Sequence, residues 1–393
     1  MELNEILSVG LKSGASDIHL KAGLPPIYRI DGVLRPLPKA PRISPEQTEQ
    51  ITREVMNDLQ RERFEKASEV DLAYGVPGLG RFRVNAFTQR GSISLVLRAI
   101  PIEIKDVDEL LLPPVIKKMA MANRGLILVT GATGSGKSTT LAAIIDYINV
   151  NRKSHIVTIE DPVEFLHRDK QSIINQREVG SDTRGFQQAL KSALRQDPDV
   201  IVIGEIRDNF SAKVAVQAAL TGHKVLTTFH TEDSVGGLIR LMNMSIEAFM
   251  IASTVVSVMS QRLLRMVCPH CNKPYTPTSQ ELQRIGYSVN NIAGTQFQKG
   301  RGCSHCQHTG HKGRVGIFEL LILDELVRDA ILERKPSKVL REISIESSGL
   351  VTLLEDGIIK ASQGATTVDE LLRSLPRMQN PRPMAELKRI IGD

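Results

Sequence analysis

One short glycine-rich run limits the folds open to this chain more than any other feature of the sequence. Residues 131–138 match the pattern G-x-x-x-x-G-K-S/T in full, between an apolar run (126–130) and a helical pattern (139–148). In this strand–loop–helix setting the glycines let backbone N–H groups face a phosphate, and the helix N-terminus adds positive potential. The motif therefore predicts a nucleotide-binding α/β fold with a parallel sheet. A glycine-rich turn without a ligand is the alternative.

The predicted nucleotide contacts form one contiguous set. Lys137 is expected to neutralise charge on the β- and γ-phosphates of ATP, and the Ser138 hydroxyl is expected to ligate Mg²⁺. The full set is Gly131, Ala132, Thr133, Gly134, Ser135, Gly136, Lys137, Ser138 and Thr139.

Three more apolar, β-branched runs predict further strands of the same sheet. They span residues 156–159, 200–203 and 225–229, and each ends in polar or glycine residues. Such runs are typical of strands buried on both faces of a parallel sheet, whose ligands bind at the carboxyl ends of the strands. The most apolar stretch, 246–267, is interrupted by charged residues and is predicted to be a buried or half-buried helix.

Acidic residues follow two of these strands. Glu205 is the acid best placed at the tip of the strand 200–203, although a glycine stands where an aspartate is usual. Its predicted role is to polarise the attacking water, and a solvated loop carboxylate is the alternative. Glu160, and after it Glu164, are candidates to hold Mg²⁺ and its waters, but acids are also common at the start of a helix.

Two histidines bracket the strand 225–229. His230 closes this strand and is a candidate γ-phosphate sensor that donates a hydrogen bond. His223 precedes the strand and is either a second sensor or a structural residue.

Four arginines lie on or between two candidate strands in the first hundred residues: Arg81, Arg83, Arg90 and Arg98. Arg81 and Arg83 are two residues apart and therefore share a strand face. The residues alone favour a solvated basic face. The alternative is that they act as sensors or fingers at a nucleotide held by a neighbouring core, where an arginine neutralises transition-state charge.

All the cysteines fall in two C-x-x-C pairs, Cys268 with Cys271 and Cys303 with Cys306. In a cytosolic protein this pattern favours metal over disulfide. We predict a closed Cys₄ zinc site with a structural role, as opposed to four unrelated reduced cysteines.

The length of the chain and the changes in residue pattern along it predict several domains. The 393 residues exceed what one core usually holds, and 41% hydrophobic with 24% charged residues is ordinary for a globular protein. We expect an α+β domain at 1–100, a linker at 101–114, an ATPase core at 115–267, a zinc-binding subdomain at 268–320 and a helical region at 321–393. Within the first block, residues 1–14 predict an amphipathic helix, and Ser44, Pro45 and Gln47 predict a capping box.

Charge and hydropathy limit the partners. The net charge of +6 permits a nucleic acid, an anionic membrane or an acidic protein and selects none of them. Trp is absent and there are 5 Tyr, which leaves little material for base stacking. No run of eighteen apolar residues and no charged-then-apolar leader occurs, so a cytoplasmic location is expected.

Several motifs occur together in order, and with them the chain resembles the secretion ATPases of type II secretion systems and type IV pili. The motifs are Ala-Ser-Asp-Ile-His (15–19), Arg-Ile-Asp-Gly (29–32), the phosphate loop, Thr-Ile-Glu-Asp-Pro (158–162), the run 199–208, Thr-Gly-His (221–223) with His-Thr (230–231), Gln-Arg-Leu (261–263) and the run 313–320. The resemblance covers nearly the whole chain, and the glycine before Glu205 is normal in this family.

The resemblance implies a RecA-like parallel-sheet ATPase core after a PAS-like α+β domain, with a small zinc-bearing helical C-terminal part. It implies a homohexamer in which Glu205 is the catalytic acid and Arg83 and Arg98 meet ATP. It also implies ATP, Mg²⁺ and Zn²⁺ as cofactors and no nucleic acid. The implied partner is an inner-membrane platform protein, which would bring the ATPase to the cytoplasmic face of the bacterial inner membrane as a peripheral protein.

Two parts of the chain resemble different branches of that family. Residues 20–29 resemble the pilus-retraction branch, whereas the cysteine pairs and residues 350–367 resemble the assembly and secretion branch. The predicted function is a motor ATPase for assembly or retraction of a type IV pilus, or for a type II secretion pseudopilus. The alternatives are a nucleic-acid translocase and a non-enzymatic, zinc-stabilised scaffold.

Overall fold

A computed structural model describes residues 2–30, 33–100, 103–292, 295–375 and 381–391. The end of the motif 29–32, the start of the predicted linker 101–114, and parts of the last two predicted regions lie outside these ranges. The chain forms two compact units. The first comprises Met1–Glu103, Asp161–His167 and Gly180–Asp182, and the second comprises Ile104–Glu160, Arg168–Val179 and Thr183–Asp393.

The α-helices of the described residues are numbered in chain order. They are α1 (Leu3–Lys12), α2 (Pro45–Val55), α3 (Asp58–Ala67), α4 (Val115–Ala120), α5 (Lys137–Asn151), α6 (Phe186–Ala193), α7 (Asn209–Leu220), α8 (Ser234–Asn243), α9 (Ala248–Thr254), α10 (Ser279–Arg284), α11 (Glu325–Leu332), α12 (Ser337–Ser347), α13 (Leu353–Ser362), α14 (Val368–Ser374) and α15 (Met384–Ile391). Of these helices, none has the length and apolar character needed to cross a bilayer.

The strands are numbered in the same way. They are β1 (Asp17–Lys21), β2 (Ile27–Ile30), β3 (Val33–Pro36), β4 (Glu69–Val76), β5 (Gly80–Gln89), β6 (Ser92–Ile100), β7 (Gly125–Thr130), β8 (His155–Glu160), β9 (Ile173–Glu178), β10 (Val200–Ile203), β11 (Lys224–Phe229), β12 (Val255–Val267), β13 (Asn272–Tyr275), β14 (Phe297–Gly300) and β15 (His311–Ile322).

The first unit is built on a six-stranded antiparallel sheet in the order β3-β2-β1-β6-β5-β4. Alternate residues point to opposite faces of a strand. Phe82 and Val84 of β5 therefore enter the core with the buried side of α1, and Arg83 between them is exposed. The capping box at the start of α2 is confirmed, because Ser44 and Gln47 bond each other's backbone N–H groups.

The second unit confirms the predicted parallel α/β core. Its seven-stranded sheet has the order β15-β12-β7-β11-β10-β8-β9, and every pair is parallel except β12 with β15. Along β7, Leu126 and Leu128 join one buried cluster, while Ile127 and Val129 join another. The strand is thus buried on both faces, which accounts for its continuous apolar sequence.

The prediction of a helix over residues 246–267 is wrong. α9 ends at Thr254, and the remainder is the 13-residue strand β12, which lies between β7 and β15. A short apolar run does not distinguish a buried strand from a buried helix by its periodicity, and here pairing with two neighbouring strands decides the outcome.

The C-terminal residues are closely tied to this core. β15, which ends the predicted zinc-binding subdomain, is the edge strand of the core sheet. The strands β13 and β14 form a separate antiparallel pair between the two cysteine pairs. Residues 104–114 of the predicted linker also pack with the second unit, where Val107 and Leu112 are buried.

Candidate active site

The phosphate loop connects β7 to α5, as the motif predicts. Gly131, Gly134 and Gly136 have φ angles of 146°, 77° and 90°, which glycine adopts most readily. A Cβ atom on Gly131 would lie 2.5 Å from the carbonyl oxygen of Gln261, so no larger residue fits there.

Lys137 is folded against the phosphate loop. Its Nζ donates hydrogen bonds to the carbonyl oxygens of Gly131 (3.0 Å) and Ala132 (3.1 Å), and the residue is 9% exposed. The ammonium therefore lies beside the loop whose backbone N–H groups face a phosphate in this motif.

Gln261 of β12 is hydrogen-bonded to the phosphate loop, a contact that was not predicted from the sequence. Its Nε2 donates to the carbonyl oxygen of Ser135 (2.6 Å), and its side chain is 1% exposed. Its Oε1 and the Ser135 hydroxyl are buried without a hydrogen-bond partner among the described residues. A polar glutamine inside an otherwise apolar run was the one indication of this contact in the sequence. Because that run was predicted to be a helix, the side to which the Gln261 side chain points could not be inferred.

Glu205 lies between two cationic or proton-donating side chains. Its Oε1 is 3.1 Å from Nε2 of His230, and its Oε2 is 3.0 Å from Nη2 of Arg207. The sheet order explains the first contact, because β11, which leads to His230, lies directly beside β10, which leads to Glu205. β11 also neighbours β7, and Gly131 N–H donates to the carbonyl oxygen of Phe229 (3.3 Å). The Glu205–His230 pair and the phosphate loop therefore both lie at the carboxyl ends of the parallel strands.

The glycine before Glu205 has a steric reason. The Gly204 N–H donates to the carbonyl oxygen of Ile159 (2.8 Å), and its carbonyl oxygen accepts from Thr228 Oγ1 (2.7 Å). A Cβ at this position would lie 3.3 Å from both Glu160 Cα and the Ile159 oxygen. A side chain there would require the neighbouring backbone of β8 to shift by a few tenths of an ångström.

The two candidate magnesium acids differ in position. Glu160 ends β8, where its Oε1 accepts hydrogen bonds from Thr158 Oγ1 (2.6 Å) and Gln176 Nε2 (3.1 Å). Glu164 lies in the segment Asp161–His167, which packs with the first unit. A role for either acid at Mg²⁺ stays a prediction.

His223 lies at the opposite end of β11 from His230. The two histidines are seven positions apart along this strand, a distance of about 23 Å at about 3.3 Å per residue. Its Nδ1 is 3.1 Å from both Thr221 Oγ1 and the carbonyl oxygen of Ala218, near the end of α7. Of its two predicted roles, the geometry favours the structural one.

In the first unit, Arg83 of β5 and Arg98 of β6 are direct cross-strand partners. Arg98 Nε contacts Asp17 Oδ1 at 2.8 Å, and Arg83 Nε lies 4.0 Å from Asp71 Oδ1. Burial disfavours ionisation of Asp17, but hydrogen bonds from Arg98 and Ser16 hold the pKa of this carboxyl below its usual value.

Each of these two arginines lies near a carboxylate. Like charges directly opposite each other destabilise a sheet, and both side chains are exposed. The half-buried Arg81 is two residues from Arg83 on the same strand, and Arg90 lies in the turn between β5 and β6.

The four cysteines form a cluster with the dimensions of a metal site. The Sγ atoms of Cys268 and Cys303 are 3.9 Å apart, those of Cys271 and Cys306 are 3.9 Å apart, and those of Cys303 and Cys306 are 3.7 Å apart. A tetrahedron of Zn–S bonds about 2.3 Å long places its sulfurs about 3.8 Å apart. The four side chains can therefore hold one zinc ion with little rearrangement.

Local hydrogen bonding prepares one of these thiols for a metal. Burial opposes ionisation of Cys306, but backbone hydrogen bonds from Cys303 and Gly310 lower the pKa of its thiol to about 6. Burial raises the pKa of Cys271 to about 11. Metals bind the thiolate, so the hydrogen bonds to Cys306 Sγ favour the form of this side chain that binds a metal.

Comparison with known proteins gives similar results over most of the chain. The family model described as "Type II/IV secretion system protein" matches residues 1–373. The type IV pilus retraction ATPase PilT of Pseudomonas aeruginosa is 44% identical over 273 residues, which are 68% of this chain and 79% of that protein.

Two relatives from other branches align over more of this chain. The type IV pilus assembly ATPase PilB of Thermus thermophilus is 36% identical over 389 residues, 94% of this chain and 42% of its own length. The type II secretion system protein E of Aeromonas hydrophila is 36% identical over 382 residues, 94% of this chain and 74% of its own. A crystal structure of the pilus retraction motor PilT with ADP superimposes with a TM-score of 0.79 at 37% identity, over 96% of this chain and 97% of that one.

Proposed function

This chain belongs to the family of type II/IV secretion system proteins, and we propose that it is a hexameric motor ATPase of a type IV pilus or a type II secretion machine. It would couple ATP hydrolysis to assembly or retraction of a pilus, or to movement of a secretion pseudopilus. The observation that carries this proposal is the Glu205–His230 pair, which lies at the same edge of the sheet as the phosphate loop.

The residues of the phosphate loop are assigned to substrate binding. Backbone N–H groups of the phosphate loop after Gly131 would bind the β- and γ-phosphates of ATP, with Lys137 neutralising their charge. Ser138 and Glu160 would hold Mg²⁺, which when bound would offset charge on the same phosphates. Gln261 would keep the loop in shape through its hydrogen bond to the Ser135 carbonyl oxygen.

Glu205 is assigned to the attacking water. Its carboxylate would orient the water and accept its proton, as a general base within hydrogen-bond reach. His230 and Arg207 each contact one of its two oxygens, which fixes the plane of the carboxylate. Because His230 follows the strand beside the phosphate loop, it would also respond to the presence of the γ-phosphate.

Arg83 and Arg98 are assigned to the nucleotide of a neighbouring subunit. Their cross-strand pairing and their exposure support this role, and a nucleotide phosphate would compete with Asp17 and Asp71 for their guanidinium groups. The proposal includes a homohexamer with an inner-membrane platform protein as its partner, at the cytoplasmic face of the inner membrane. The cysteine cluster is assigned to one structural zinc ion, supported by its sulfur–sulfur distances.

The enzymatic proposal is tested by ATP turnover of the purified protein. Wild type should release phosphate, and Lys137→Ala should abolish release because phosphate binding is lost. Glu205→Gln should lower kcat by about a hundredfold or more, as expected on loss of a general base. Glu346→Gln makes the same chemical change at an exposed position of α12 and should be without effect.

Two outcomes would contradict this function. Absence of turnover by wild type would leave a non-enzymatic scaffold, and turnover unaffected by Glu205→Gln would remove the proposed base. Strong, salt-dependent stimulation by polynucleotides would instead favour a nucleic-acid translocase.

A deletion strain scored for surface pili distinguishes a pilus-assembly motor from a pilus-retraction motor. Cells without pili indicate assembly, and hyperpiliated cells indicate retraction.

A further inference from the structure

Arg341, on the C-terminal helix α12, contacts the loop that carries His230 through Asp233. We propose that Arg341 is a positioning residue for the Glu205–His230 pair, acting through Asp233 and the buried Glu319. The inference rests on the proposed ATPase function and adds to it a residue far outside the nucleotide-binding motifs.

Arg341 lies on α12 and bridges two carboxylates. Its Nη2 is 2.6 Å from Asp233 Oδ2, and its Nη1 is 3.5 Å from Glu319 Oε1. The Arg341 side chain is 17% exposed. Only a planar guanidinium presents two N–H groups at the spacing that such a bridge requires.

Glu319 of β15 is fully buried and holds the start of α8. Its Oε1 accepts hydrogen bonds from the backbone N–H (2.9 Å) and the hydroxyl (2.5 Å) of Ser234, and its Oε2 accepts from the N–H of Leu353 (3.4 Å). The residue is 0% exposed. A buried carboxylate that loses its cationic partner is strongly destabilised, so Glu319 would have to move towards water if Arg341 were removed.

Hydrogen bonds hold the loop between β11 and α8 at Thr231, Glu232 and Asp233. Asp233 caps α8 by accepting from Gly236 N–H (2.6 Å), and Thr231 Oγ1 donates to the Asp233 carbonyl oxygen (3.0 Å). On the other side, Ser260 of β12 donates to the carbonyl oxygen of Glu232 (3.2 Å). Together with the two contacts of Arg341, these hydrogen bonds restrict movement of the loop.

His230 depends on that arrangement. Its side chain is 44% exposed, and its Nε2 contact with Glu205 Oε1 is 3.1 Å long. The residue stands three positions before Asp233, so a shift of the helix start is transmitted to it through a short stretch of chain. Displacement of a catalytic group by about 1 Å costs up to about a hundredfold in rate. Removal of Arg341 is therefore expected to lower kcat without removing any group that binds the phosphates.

Arg382 provides a matched control. It is also 17% exposed, and its Nη2 pairs with Glu355 Oε2 at 2.8 Å, a carboxylate whose side chain is 4% exposed. The pair lies in the same C-terminal region, and its hydrogen bonds go to Glu355 and to the Leu350 carbonyl oxygen. Arg382→Gln thus repeats the loss of a buried ion pair, with contacts to Glu355 and Leu350 and not to residues 230–234.

The experiment measures kcat, KM for ATP and backbone hydrogen exchange on the full-length chain. Arg341→Gln should lower kcat by about tenfold to a hundredfold while KM stays within about twofold, because a transition-state contact is lost and ground-state binding is not. Arg341→Lys should fall between, since an ammonium reaches one carboxylate and not both. Amides of residues 230–236 should exchange faster in Arg341→Gln and not in Arg382→Gln.

The outcomes separate this inference from a purely structural role and from the proposed function. If Arg341→Gln and Arg382→Gln lower kcat equally, or if Arg341→Gln leaves kcat unchanged, Arg341 does not position the pair. If Arg341→Gln fails to fold, Arg341→Lys carries the same comparison. If wild type lacks turnover, the ATPase proposal fails, and unchanged exchange at 230–236 in the Arg341 variant then separately refutes its hold on the loop.

Discussion

Lys224 should make the stability of the second unit depend on pH above neutrality. The residue opens β11 and is 1% exposed, with Nζ donating to the carbonyl oxygens of Met119 (2.7 Å) and Ala122 (2.8 Å). Burial, and after it the charge of Arg152, lowers the pKa of Lys224 from 10.5 to about 7. The neutral amine still has two N–H donors, which match the two carbonyl oxygens.

The sign follows from proton uptake on unfolding. Between about pH 7 and 10.5 the folded amine is largely neutral, whereas the unfolded chain keeps its proton. The unfolded state then binds more protons, so the free energy of unfolding rises with pH across this window and falls as the pH returns towards 7. Each pKa unit corresponds to about 1.4 kcal/mol, and integration from about pH 7 to about pH 9 gives about 2 kcal/mol for this group.

Lys224→Met isolates this contribution. Methionine fills the same unbranched space and does not titrate, so its free energy of unfolding should lack the rise of about 2 kcal/mol between about pH 7 and pH 9. Urea unfolding followed by circular dichroism at several pH values measures the difference. Lys213→Met, at an exposed position of α7, is the control and should keep the wild-type slope. Parallel pH profiles for wild type and Lys224→Met would refute the reasoning.

Two further predictions concern the metal cluster and the arginine pair. Purified reduced protein should contain about one zinc per chain. Cys271→Ser should lose the zinc and have a lower Tm, because a structural zinc contributes directly to folding free energy. Metal analysis and thermal melting test this prediction, and a zinc content near zero in wild type would contradict it. Arg83→Ala and Lys137→Ala subunits should each be inactive, but mixing them in equal amounts should restore about a quarter of the wild-type rate, because about one interface in four then joins an intact phosphate loop to an intact arginine. Absence of recovery in rings verified to be mixed would count against action between subunits.

The nucleotide-binding half of the site could be predicted from local sequence. The glycines of the phosphate loop need backbone conformations that few other residues adopt, so their spacing identifies the loop without its surroundings. The strand that ends before Glu205 and the strand that ends before His230 were also predictable. Their apolar, β-branched runs are typical of strands buried on both faces.

The supporting half of the site could not be predicted in this way. Residues 246–267 were expected to form a helix, and in that conformation Gln261 has no defined relation to Ser135. The structure instead gives β12, which carries Gln261 under the phosphate loop and Ser260 beside the loop of His230. Periodicity over a short apolar run does not separate the two conformations, and only pairing with β7 and β15 does.

The sequence by itself predicts which residues contact a nucleotide, and it identifies the four cysteines that the fold brings together. Nucleotide binding by a phosphate loop and metal binding by C-x-x-C pairs each depend on residues that are close together in the sequence. Such residues stay close together in space whatever the rest of the fold is. Only the tertiary structure shows that Gln261 contacts the phosphate loop and that Glu319 and Arg341 contact the start of α8, next to the loop of His230. Their contacts join residues about eighty to more than a hundred positions apart, and such pairs meet only when the sheet and the C-terminal helices have packed.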